Sequence, residues 1–345
     1  MNRLLIVRLG ALGDVVHAIP VAAALRRAFP AARLDWLVSA KHRGILDLVP
    51  VIDRRLVIND RSDARGGTSL LAAIRELRAT RYDVVFDLQG LLKSALLARS
   101  TGAPRVIGFS SRYARESVAP LFYTQAFDPG RGGIYDARET RHVVDINLAM
   151  LDAIGLTAAT AEFPIDPVRS AVADSVQAAT GGAYALLNPG AAWPNKRWPP
   201  ERFGAVAAAL KQRARLASVV LWGPGEEARA RDVVAAAQGA AIASPPTRVA
   251  DLVALARGAA LMISGDTGPT HIASAVGTPI VGLYGPTRPS RNGPLAPTDV
   301  AVSRDAVCQC HHLRRCVRDR MCLLDIEVGE VLAAAETVIR RHARG

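Results

Sequence analysis

Short apolar runs alternate with amphipathic stretches along nearly the whole chain, and the alternation runs through twice. In the first half, residues 4–9, 33–38, 56–58, 82–88 and 105–109 read as strands, with helical patterns such as 15–28 and 70–79 between them. The pattern then restarts. Residues 184–188, 218–222, 240–243, 261–264 and 280–284 read as strands, and 201–211, 225–237, 249–256 and 270–276 as helices. An apolar run without polar alternation suits a strand buried on both faces, and a helix between successive strands lets them lie parallel. Such crossovers are right-handed, so each half is predicted to be a doubly wound α/β domain, with a cleft between the two. The stretch EFPIDPVRS (162–170) carries two prolines and ends a helical pattern at 142–154. The seam is placed there, giving domains at 1–165 and 166–326, with a closing helix (328–342) in the remainder, 327–345. No sequence repeat is obvious between the halves.

The length of 345 residues exceeds what one compact core usually needs, in line with two domains. Half of the residues are hydrophobic, so disorder is not indicated. No apolar run approaches the roughly 20 residues of a membrane span. The first predicted strand begins at about residue 4, too early to leave room for a signal peptide, which predicts a cytoplasmic protein. The formal net charge of +12 points to anionic partners: phosphorylated small molecules, an anionic membrane surface or nucleic acid. The basic residues are scattered and carry no nucleic-acid motif, so nucleic acid is not expected. Only Lys41, Lys93, Lys196 and Lys211 are lysines among 43 basic residues, so each lysine stands out against arginine as the default cation.

In open α/β sheets ligands bind beyond the carboxyl ends of the strands. Three such loops in the second half suit a nucleotide-sugar donor. SGDTGPTHIASAVGTP (264–279) begins a helix near Pro269, whose N-terminus favours a phosphate. Gly265 and Gly268 let a ligand approach the backbone, Thr267 and Thr270 offer hydroxyls, and His271 could donate to a diphosphate. Asp266 would repel phosphate and is better suited to sugar hydroxyls, or to capping the turn. NPGAAWPNKRWPPERF (188–203) carries Lys196, either a phosphate contact or a solvated loop lysine, with Pro200 suited to the first turn of the following helix. WGPGEEARARD (222–232) offers Glu226 or Glu227 to ribose hydroxyls, or merely as acids favouring a helix N-terminus. In the first half, RLGALGDVVHAIP (8–20) places Asp14 at the mouth of the first strand, where it is a helix cap or a general base. Gln89 and Lys93 follow the fourth strand, and Arg112, Arg115 and Glu116 lie farther on, so that an anionic acceptor could be held there.

The four cysteines fall together as C-x-C-x5-C-x5-C: Cys308, Cys310, Cys316 and Cys322, with His311 and His312 inside. Four thiolates suit tetrahedral zinc or iron in a structural role. The spacing is not the paired C-x2-C of common zinc sites, and free buried thiols or a redox pair remain the alternatives.

GDVVHAIP, DLQGLLKSA, NPGAAWPNKRWP and SGDTGPTHIASAVGTPIVGLYGP, in that order over residues 8–286, together resemble the ADP-heptose:lipopolysaccharide heptosyltransferases of glycosyltransferase family 9. The resemblance implies the GT-B fold and an inverting transfer without a cofactor. LDWLV, DLQGLLKSA and ARESVAPLFY look most like the heptosyltransferase I branch, which adds the first heptose to Kdo on lipid A. On this resemblance Asp14 is the general base. Lys196, Thr267, Gly268 and His271 contact the donor diphosphate, Asp266 lies near the heptose and Glu226 near the ribose. Lys93, Arg115 and Gly13, beside Asp14, serve the acceptor. The implied partners are ADP-heptose, Kdo-lipid A and the inner face of the inner membrane, met peripherally. No D-x-D occurs in the chain, which argues against a metal-clamped donor. The cysteine cluster departs from the best-known heptosyltransferase I pattern and leaves the subfamily and acceptor open. The alternatives are another GT-B nucleotide-sugar enzyme or a non-catalytic nucleotide-binding module.

Overall fold

The computed structural model describes residues 1–59, 70–130, 132–136, 138–311, 313–318 and 320–342. It divides into two compact units, Met1–Asp166 and Pro167–Gly345. In the first, β1 (Arg3–Val7), β2 (Arg33–Ser39), β3 (Arg54–Ile58), β4 (Val84–Asp87), β5 (Arg105–Phe109) and β6 (Gln125–Phe127) form one parallel sheet in the order β3-β2-β1-β4-β5-β6. Its helices are α1 (Leu12–Val16), α2 (Ile19–Ala28), α3 (Leu70–Thr80), α4 (Leu92–Ser100) and α5 (Val143–Ala149).

The second unit repeats the topology. β7 (Tyr184–Asn188), β8 (Ala217–Val220), β9 (Ala241–Ala243), β10 (Leu261–Gly265), β11 (Ile280–Tyr284) and β12 (Val300–Ser303) lie parallel in the order β12-β11-β10-β7-β8-β9. Its helices are α6 (Ala171–Thr180), α7 (Pro200–Ala214), α8 (Glu227–Ala236), α9 (Val249–Gly258), α10 (Gly268–Ala275), α11 (Pro289–Asn292) and α12 (Val328–His342). Both units thus have the doubly wound α/β architecture that the alternation predicts. β7, β10 and β11 are buried along their whole length, as strands covered on both faces must be.

Two edge strands and one helix break depart from the sequence reading. β6 (QAF) and β12 (VAVS) are short, partly exposed and paired on one side only; β6 opens on a polar residue, whereas β12 is apolar at its first three positions. The helical pattern at 15–28 is two helices, because Pro20 lacks an N–H and its ring clashes with the carbonyl one turn back, ending α1 and fixing the start of α2. Strand order reverses beside β1 and β4 in the first unit and beside β7 and β10 in the second. Crevices open at such points, beyond the strand carboxyl ends. Among the described residues no helix is long and apolar enough to cross a membrane.

Candidate active site

At the switch point of the second unit, Asn188 ends β7 directly opposite Ser264 on β10. Its buried amide donates to Ser264 Oγ (3.0 Å) and Thr267 Oγ1 (2.8 Å), tying the two loops together. Gly265 follows at close quarters, since a Cβ there would sit a tight 3.3 Å from the Lys196 carbonyl. Lys196, at the end of the turn Pro194–Lys196, lies over the Trp193 ring at 4.4 Å and places Nζ 2.6 Å from Asp266 Oδ2. The other oxygen of Asp266 is 3.0 Å from His271 Nε2. Burial opposes ionisation of Asp266. The His271 hydrogen bond and the Lys196 charge outweigh it and hold the carboxyl far below the usual carboxylate range. An ionised carboxylate only accepts, so His271 carries its proton on Nε2.

Asp266, which alone would repel a phosphate, is therefore neutralised by Lys196 at the mouth of α10. Helix amides in a first turn have no intrahelical partners and favour an anion. Thr267 is the N-cap and Gly268 the first residue of α10. Thr270 is buried, and its hydroxyl is spent on Ser264 Oγ (2.7 Å) and the Gly265 carbonyl (2.6 Å) rather than offered to a ligand. Of the two acids on the third loop, Glu227 is exposed on α8, whereas Glu226 caps that helix and accepts from Gly223 N–H (3.0 Å). The Glu226 carboxylate lies hard against Gly190, in the loop after β7, where any Cβ would collide with it. Lys196, Glu226, Asp266 and Thr267 are thus carried by the loops after β7, β8 and β10, and Gly268 and His271 by the first turn of α10.

The first unit has an analogous but cationic arrangement. Gln89, after β4, is buried and accepts from Leu9 N–H (3.0 Å) and Gly10 N–H (3.2 Å), bracing the loop after β1. Asp14 accepts from Ala11 N–H (3.1 Å), as a helix cap would. Its carboxylate also meets Arg8 Nη2 (3.0 Å) and Arg115 Nη2 (2.6 Å). Burial opposes ionisation of Asp14 too, but Arg8 and Arg115, with a smaller share from His17, hold it well below the carboxylate range. Burial lowers Arg8 to about 10, against the pull of Asp14. Lys93 is exposed in the first turn of α4, and Glu116 accepts from Leu92 N–H (2.6 Å) at the same helix start. Arg112 is exposed. Gly13 is buried inside α1, its carbonyl accepting from His17 N–H (2.9 Å).

Arg8 was not singled out in the sequence, although a signal is there: an arginine at the end of the apolar run LLIVRL must find a counter-charge or leave the core. Its guanidinium also donates to the Leu88 carbonyl, so it links both switch-point loops to Asp14.

The cysteines also come together. Cys308, Cys310 and Cys322 are buried with their sulfurs all within 4.8 Å of one another, and Cys316 packs against them. His312 lies outside the described residues.

The profile of glycosyltransferase family 9 (heptosyltransferase) matches residues 70–321. The chain is 30% identical over 315 residues to lipopolysaccharide heptosyltransferase 1 of Pseudomonas aeruginosa, covering 89% of this chain and 85% of that one. It is 27% identical over 295 residues to lipopolysaccharide heptosyltransferase 3 of Escherichia coli K12, covering 80% of each. A glycosyl transferase family 9 structure from Veillonella parvula superposes with a TM-score of 0.79 at 23% identity, over 99% of this chain and 98% of that one. Escherichia coli heptosyltransferase WaaC with ADP gives 0.71 at 22% identity, over 99% and 98%.

Proposed function

Because the chain belongs to glycosyltransferase family 9 and is a sugar-transferring enzyme, we propose that it moves heptose from ADP-L-glycero-D-manno-heptose to the Kdo region of lipid A, inverting the anomeric carbon. The observation that carries this reading is the Lys196–Asp266–His271 cluster at the N-terminus of α10. It joins a phosphate-seeking helix end to a carboxylate already stripped of its repulsion for phosphate. In this reading the diphosphate lies on Lys196, His271 and the first turn of α10, and Asp266 faces the heptose. Glu226 accepts from the ribose.

The acceptor oxygen forms a bond to the anomeric carbon as the carbon–phosphate-oxygen bond breaks. The electron pair leaves with ADP, and the hydroxyl proton passes to Asp14. A base in reach of the reacting hydroxyl contributes roughly 10²–10⁴-fold. Lys196 and the α10 amides receive the charge that grows on the leaving ADP, so the step draws on no cofactor.

Asp14 gripped by two arginines is a poor base until one lets go. Arg8 is buried and Arg115 is 37% exposed, so Arg115 is the one free to move. An acceptor bearing a carboxylate, as Kdo does, offers Arg115 a second partner and raises the basicity of Asp14 on arrival. The surface of the first unit also suits an anionic leaflet. Leu92, Leu96, Val118 and Leu121 are exposed on α4 and the adjoining turn Ala119–Phe122, beside Lys93 and Arg99. This reading makes the enzyme cytoplasmic and peripheral to the inner membrane. Its binding to anionic vesicles should weaken steeply with salt, and salt-independent binding would remove the electrostatic part.

The deciding experiment incubates the protein with ADP-heptose and Kdo-lipid A and weighs the product. One added heptosyl unit is expected. Transfer only to an acceptor that already carries heptose would assign a later core step instead.

A further inference from the structure

Between β12 and α12 the chain runs from 304 to 327, where the described residues form only two short turns, Asp305–Val307 and Cys322–Asp325. Leu323 and Ile326 anchor the end of this segment in the main core. Before them, Val307, Leu313 and Val317 are exposed, and the buried cluster that gathers the segment is sulfur: Cys308, Cys310 and Cys322, with Cys316 against them. Three or four thiols bury too little apolar surface to order such a segment by themselves.

The distances suit a metal. Four sulfurs about 2.3 Å from a tetrahedral zinc lie about 3.8 Å from one another. Here Cys308 and Cys310 sulfurs are 3.4 Å apart, and the buried three are all within 4.8 Å. The surroundings suit thiolates as well. Asn195 Nδ2 points at Cys310 Sγ (3.6 Å), and Cys310 N–H at Cys308 Sγ (3.4 Å), the N–H···S contacts that ligating sulfurs accept. Arg314, Arg315, Arg318 and Arg320 make the same segment strongly cationic, with Arg318 (3.5 Å) and Arg320 (3.2 Å) paired to Asp325.

We propose that Cys308, Cys310, Cys316 and Cys322 bind one structural zinc ion, with Asn195 as its hydrogen-bonding neighbour. Each thiol gives its proton to solvent as it ligates, and no electron is transferred. The site braces the donor loops. Asn195 immediately precedes Lys196 in one turn and also donates to the Leu313 carbonyl (2.9 Å). On the other side Gly285 closes against the cluster, where a Cβ would lie 2.9 Å from Cys322 Sγ. The ion thereby holds the turn that aims Lys196.

The test is metal analysis of the full chain purified without chelator. About one zinc per chain is expected, released in step with modification of four thiols by a mercurial. Cobalt reconstitution should give the intense thiolate charge-transfer and tetrahedral d–d bands. Cys310→Ser and Cys322→Ser should lose the ion. If these variants do not fold, the mercurial titration of the unaltered protein decides. Asn195→Ala should keep zinc, release it faster to a chelator and weaken ADP binding several-fold. A metal-free protein with four freely reactive thiols, or one with two disulfides, overturns the site, and a red, iron-loaded protein overturns zinc as its ion.

Discussion

Asp14 and Asp266 are partly buried carboxylates that stay ionised because cations or hydrogen bonds face both of their oxygens. Their partners make different demands. Asp266 gains from a lysine and a histidine on its own unit's loops, and it needs neither to move for a diphosphate to dock. Asp14 must lose Arg115 to work as a base. Asp14→Asn should therefore keep the fold but lower its stability, because buried Arg8 loses its counter-charge, and lower kcat by roughly 10²–10⁴-fold, with ADP affinity unchanged. Lys196→Ala should instead weaken ADP binding and also destabilise the unit, because it strands the buried Asp266 charge. Isothermal titration with ADP and single-turnover transfer separate the two effects. These roles were partly legible in the sequence, since a carboxylate at a strand mouth and a lysine on a Gly/Pro loop are local patterns. The Lys196–Asp266 pair was not, because its members are 70 residues apart. Nor was the grip of Arg115 on Asp14, across 101 residues.

At the scale of elements, the functional loops are set by close backbone approach. Gly204 on α7 has no room for a side chain, since a Cβ there would run into Ala236 of α8. Gly204→Ala must push the two helices apart and should cost about 1–3 kcal/mol in urea unfolding. Gly190 is crowded differently, by the movable end of Glu226. Gly190→Ala should leave stability almost unchanged but displace Glu226, and ADP affinity should fall with it if that carboxylate holds the ribose. Equal ADP affinity in Gly190→Ala and the unaltered protein would remove Glu226 from the donor site. The central strands were readable as apolar runs. β6 (QAF) was not, because a polar residue heads so short a run; β12 (VAVS) was passed over although it is as apolar as edge strand β9 (AIA), which was read.

The whole molecule should show a two-signed response to pH. Asp14 and Asp266 titrate far below an ordinary aspartate, near 3.9 in an unfolded chain. Depressed groups stabilise the fold above that value, and the stability is lost as pH falls below about 4. Asp299 acts the other way. Burial raises it to about 6, only partly offset by the Ile280 N–H it accepts. Its ionised form costs stability above pH 6, and the cost is relieved as pH falls from about 6 toward 4. Unfolding free energy should rise slightly from pH 7 to 5 and then fall. Asp299→Asn should raise neutral-pH stability by about 1 kcal/mol and flatten the rise, as denaturant titrations at each pH can show.

The sequence by itself determined the repeated parallel α/β plan and put the chemistry on strand-end loops, because burial on both faces and glycine-bearing turns are written in consecutive residues. Four cysteines within fifteen residues were visible in the same way. Only the tertiary structure decided which charges meet. Arg8 and Arg115 close on Asp14, Lys196 and His271 on Asp266, and Asn195 on the sulfurs. The Arg115–Asp14, Lys196–Asp266 and Asn195–Cys310 contacts join residues from distant parts of the chain. Their meeting depends on sheet order and crossover, and no local pattern of residues encodes that.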